Sequence, residues 1–98
     1  MSGETPAIAL DSRPALPHGV RLTQSEAHGG WVLLAPERVF KADPIAVEII
    51  RRCTGAATLA EIVDDLARAY AAPRERVLAD TTALLAGLAD KKLLELSL

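Results

Sequence analysis

The stretch "WVLLAPERVFKAD", residues 31–43, decides the fold. Its first five residues are rich in strand formers, and Arg38-Val39-Phe40-Lys41-Ala42 resumes that character after Pro36-Glu37. Proline cannot donate to a ladder, so Pro36 belongs in a turn or on an edge. Asp43 then offers an N-cap, and Pro44 suits the first helical position. A hairpin that runs at once into a helix is the expectation.

Upstream, "VRLTQSEA" at 20–27 alternates apolar and polar residues at its start, and "HGG" at 28–30 breaks it. The glycines allow the positive φ that tight hairpin turns use. Together these segments predict a three-stranded antiparallel meander.

Downstream, three helices are expected. In the first, Ala46, Ile49, Ile50 and Cys53 fall at i, i+3, i+4 and i+7, with Gly55 closing it. In the second, Thr58 and Glu61 form a capping box, and Leu59, Ile62, Val63, Leu66 and Tyr70 give the buried stripe. The third runs from about Arg74 to Lys91 after Pro73, with Val77, Leu78, Thr81, Leu84, Leu85 and Leu88 on its apolar face. Gly87 inside it suggests a close neighbour. "LLELSL" at the end suits a short last strand. The fold class is therefore α+β, a meander followed by a three-helix bundle, winged-helix-like in outline.

Residues 1–17 hold three of the six prolines and no sustained periodicity, which reads as an extended or flexible arm preceding one domain over 18–98. Only Trp31, Phe40 and Tyr70 are aromatic, so the core must be aliphatic. The formal net charge of -2 gives no electrostatic reason to bind nucleic acid or an anionic membrane. The single Cys53 excludes an intrachain disulfide and suits a reducing, cytoplasmic setting. The N-terminal sequence does not read as a secretory signal. The apolar "PAIAL" and "LLELSL" segments are arms that two copies can exchange to form a homodimer.

Catalytic chemistry is hard to find. Cys53 lies on an apolar helix face, His18 and His28 stand apart from any second ligand, and Asp64-Asp65 point in different directions on a helix. No enzyme activity, cofactor or metal is expected. A winged-helix-like DNA-binding regulator is the alternative. Against it, the hairpin precedes every helix, and the third helix balances Arg74, Arg76, Lys91 and Lys92 with Glu75, Asp80 and Asp90. What remains is the uncommitted edge of the "RVFKA" strand, a template for a partner peptide.

The pieces "PALPHGVRL", "VLLAPERV", "CTGAATLAEIVDDL" and "LADTTALLAGLADKKLL", in this order and spacing, resemble the PqqD family of pyrroloquinoline quinone biosynthesis. The resemblance covers about residues 14–94. It departs at Thr54, where Asp or Asn is usual, and at Asp43, where Asn often stands. The resemblance implies a peptide chaperone, a recognition element for a ribosomally made and modified peptide. Such a protein binds a PqqA-type precursor and presents it to a PqqE-type radical S-adenosylmethionine enzyme, which crosslinks a Glu and a Tyr of that precursor. It has no cofactor of its own. In related recognition elements the peptide pairs with the third meander strand and lies against the third helix. Carried over, that marks Arg38, Val39, Phe40 and Lys41 on the strand and Val77, Asp80, Thr81 and Leu84 on the helix.

Overall fold

Each helix begins where the sequence provides a start. The computed structural model describes residues 8–97, so the first seven residues of the expected arm lie outside it. Helix α1 spans Pro44–Arg51, with Asp43 accepting from the Ala46 N–H at 2.8 Å. Helix α2 spans Leu59–Tyr70 behind a complete Thr58–Glu61 capping box. Helix α3 spans Arg74–Asp90 and has only Pro73 at its N-cap, without a side-chain cap.

The expected meander is present. Strands β2 (Arg21–Ser25), β3 (Gly30–Ala35) and β4 (Arg38–Lys41) pair antiparallel in the order β2-β3-β4. A 3-10 turn over Glu26–His28, closed by Gly29 at φ 77, joins the first two. Pro36-Glu37 alone joins the second pair.

A second sheet lies beyond the meander. Strands β1 (Arg13–Ala15) and β5 (Glu95–Ser97) pair antiparallel, tying the two ends of the described chain together. The α+β class holds, and the layout adds this two-stranded sheet to the expected meander and three helices. The segment before β1 also completes α2. The orphan N–H groups of Leu59 and Ala60 donate to the carbonyls of Ser12 and Leu10, at 2.8 and 3.0 Å. Gly55 does not close α1, which is capped at Arg52. Its φ of 87 instead turns its N–H onto the Pro14 carbonyl at 2.9 Å, where a Cβ would crowd Ala15. The apolar end of the chain is spent internally: Leu93 and Leu94 enter the core, and the next three residues form β5.

The core joins Leu33 of the sheet to Ile49, Ile50, Leu59, Ile62, Leu66, Leu85 and Leu88 of the helices. It is aliphatic, as the composition requires. Tyr70 departs from its stripe: at the last turn of α2 it is 50% exposed. Helix α3 closes in a Schellman arrangement, Leu93 N–H to Leu88 carbonyl and Lys92 N–H to Ala89 carbonyl. The left-handed residue of that motif is Lys92, at φ 63, where glycine is usual. A non-glycine residue there costs about 1 kcal/mol.

No close approach explains Gly87, since a Cβ built there meets nothing within 4 Å. Gly87→Ala should therefore stabilise the chain by about 0.5–1 kcal/mol, the helix-propensity difference. Thermal unfolding checks it: a rise of roughly 2–8 °C is expected for a domain of this size. A lowered midpoint would mean that another element covers this turn of α3 in solution.

Candidate functional site

Among the described residues, strand β4 pairs with one strand, β3, and its other side is open. Which of its groups face outward follows from the ladder. Ala42 donates to the Trp31 carbonyl at 3.0 Å, so Trp31 and Ala42 form a hydrogen-bonded pair. Such pairs alternate along an antiparallel ladder. With Leu33 opposite Phe40 and Ala35 opposite Arg38, the inward positions of β4 are Phe40 and Arg38. The N–H and C=O groups of Val39 and Lys41 point to the open side. Those two residues also carry exposed side chains, Val39 at 45%, on the face opposite Phe40. Phe40 itself leans against the core, half-buried.

Three residues after Lys41, α1 begins, and its N-terminal turn borders an apolar pocket of about 140 Å³. Ile45 and Ile49 of α1, Leu66 and Tyr70 of α2 and Val77 and Thr81 of α3 line it. Arg76 and Asp80 also line it, both exposed and neither in an ion pair among the described residues. A cavity of about 150 Å³ lined by aliphatic and aromatic groups admits benzene, so this one has room for a single large apolar side chain.

Of the expected site residues, all but Leu84 fall on one of these two features. Arg38 through Lys41 are the open strand, and Arg38 donates to the Lys91 carbonyl at 3.1 Å, clasping β4 to the end of α3. Val77, Asp80 and Thr81 meet at the pocket, but Thr81 is its buried floor, only 1% exposed. Leu84 packs half-buried against the core, and neither it nor Phe40 lines the pocket. Ile45, Ile49, Leu66 and Tyr70 also line the pocket, and none of them was an expected site residue. Ile45 carried a signal: it is a large apolar residue one step off the stripe of its helix, and it stands 56% exposed.

The remaining reactive groups have structural roles. Burial pushes the Cys53 thiol up to about 12, so it is no nucleophile near neutral pH. Its Sγ donates to the Ile49 carbonyl. Away from the pocket, Arg52 bridges α1 to α2 through Glu48 at 2.9 Å and Asp65 at 2.6 Å. Its hydrogen bonds hold both carboxyls below their usual range. Among the described residues there is no cluster of three metal-ligating side chains. No helix there is long and apolar enough to cross a membrane.

An open strand edge, followed four residues later in the chain by a wall of a one-residue pocket, is suited to holding an extended peptide. Comparison with known proteins gives the family of the chain. The family model for coenzyme PQQ synthesis protein D (PqqD) matches residues 30–94. A protein of Bradyrhizobium diazoefficiens named PqqA binding protein is 48% identical over 87% of this chain and 82% of its own length. Its namesake from Xanthomonas axonopodis is 46% identical over 91% and 97%. The solution structure of the PqqD part of Methylobacterium extorquens PqqCD superposes with a TM-score of 0.76 at 41% identity, covering 91% of this chain and 95% of that one. It is described as a functional, stand-alone recognition element for a ribosomally synthesised, post-translationally modified peptide. The crystal structure of PqqD from Xanthomonas campestris gives 0.58 at 42% identity, over 91% and 99%.

Proposed function

The chain belongs to the PqqD family, and from that membership we propose that it binds a PqqA-type precursor peptide as a strand added to β4, without catalysing any reaction itself. The observation that carries the site is the outward direction of the Val39 and Lys41 backbone groups on an unpaired edge. Those groups offer up to four backbone bonds, each worth about 0.5–1.5 kcal/mol net. Micromolar affinity needs about 8 kcal/mol, so the edge alone falls short. Burying one large apolar side chain adds about 1.5–3 kcal/mol. The pocket between Ile45, Tyr70 and Val77 is where the peptide finds it.

The carrier's task is presentation. A peptide held as an edge strand keeps one of its own edges and its solvent-side residues accessible to a radical S-adenosylmethionine enzyme of the PqqE type. A homodimer, if the chain forms one, has in the β1–β5 sheet a pairing that two copies can exchange.

The test is titration with the precursor peptide and, in parallel, with duplex DNA at one salt concentration. Saturable peptide binding with no DNA binding is expected. The reverse result would restore the transcriptional reading.

A further inference from the structure

At the turn end of the meander, the surface gathers cations that strand pairing leaves unused. Arg38, Lys91 and Lys92 line one shallow groove with His18, Pro36 and Glu37. Three cations there face one carboxylate, Glu37, in a chain whose formal net charge is -2. None of the three is in an ion pair among the described residues. Arg38 is the first residue of β4, and its bond to the Lys91 carbonyl holds strand and helix end together.

Lys92 is the informative member. A cation near a helix C-terminus favours the macrodipole, which accounts for Lys91 at the C-cap. The same attraction reaches Lys92, one residue further, but there the lysine also takes the left-handed position that glycine would fill without strain. Ala71 is left-handed too, at φ 50, with only a methyl group, so what distinguishes Lys92 is its place beside Arg38 and Lys91 in one groove with a single carboxylate.

We propose that this groove receives acidic residues of the same peptide that pairs with β4. The proposal rests on the strand-addition reading above. A strand advances about 3.3 Å per residue, so a peptide paired opposite Arg38 needs only a few more residues to reach Lys91 and Lys92. The partner is thus a peptide with a carboxylate flanking its pairing segment on the side of the β3–β4 turn.

The experiment measures the affinity of a PqqA-type precursor peptide, and of the same peptide with its Asp and Glu changed to Asn and Gln. The proteins are the parent chain, Lys91→Gln/Lys92→Gln, Lys92→Gly and Val39→Pro. Two exposed ion pairs lost together should weaken the acidic peptide roughly fivefold at low salt. That gap should close near 1 M salt, where the screening length is about 3 Å. It should vanish for the neutral peptide. Lys92→Gly should bind the acidic peptide less tightly while resisting denaturant better than the parent, a combination that a purely structural lysine does not give. Affinity of the double variant within about twofold of the parent at low salt overturns the proposal, as does a gap that persists with the neutral peptide. Val39→Pro separates the two claims. A lysine effect without a proline effect keeps the groove and rejects strand addition; the converse keeps strand addition and rejects the groove.

Discussion

Val39→Pro and Lys41→Pro should each weaken precursor binding about tenfold or more, and together should abolish it. Proline removes the N–H donor. At these two positions the donor faces the open side, so the β3–β4 ladder loses nothing. Edge strands tolerate proline for that reason. In the complex the loss is larger than one average bond. The peptide carbonyl left opposite each proline is stranded, at a cost of about 1–3 kcal/mol, and about 1.4 kcal/mol is tenfold in affinity. Phe40→Pro is the contrasting variant. Its N–H bonds inward to Leu33, so that change should disrupt the hairpin itself and show as lost stability. Calorimetric titration of the folded edge variants checks the claim. Parent affinity in both single variants and in the double would remove β4 as the docking edge.

The second large effect is expected from the pocket. Ile45 stands at the second helical position of α1, 56% exposed, where an acidic residue complements the helix dipole. Ile45→Asp should therefore leave the fold intact or slightly firmer. It replaces one apolar wall of the pocket with a charge. A peptide side chain that no longer finds a dry surface forfeits about 1.5–3 kcal/mol, which is roughly 10- to 150-fold in affinity. Thr81 is unsuited to this test, because as the buried floor it could accept a lysine only by burying a cation beside Leu85. Circular dichroism with a binding titration checks Ile45→Asp. Undiminished affinity in a well-folded variant would move the apolar contact away from α1.

How much of this was legible in the sequence varies with the range of the interaction. The hairpin, the caps at Asp43 and Thr58 and the aliphatic stripes rest on local pattern, and the structure has them where the pattern places them. The short last strand was expected in "LLELSL" and is β5, but its partner β1 lies in the proline-bearing segment read as an arm, and three residues are too few for any alternation to register. The parity of β4 also escaped. Whether Val39 or Phe40 faces the ladder depends on the register set by Pro36-Glu37, not on composition. The pocket was half visible. Val77 and Thr81 were marked as site residues by the family resemblance, the helix period giving them only an apolar face, whereas Ile45 and Tyr70 come together only because α1 and the end of α2 meet α3. Gly87 misled, since a glycine in a helix suggests a close neighbour and here has open space.

Amide hydrogen exchange at the four β4 residues, with and without saturating precursor peptide, tests the central claim most directly. In the free chain Phe40, bonded to β3, should exchange slowly, and Val39 and Lys41 should exchange fast. In the complex Val39 and Lys41 should both become protected, with their neighbours little changed, because only an added strand supplies acceptors to every second N–H. Fast exchange at Val39 and Lys41 in the fully bound state would contradict strand addition outright.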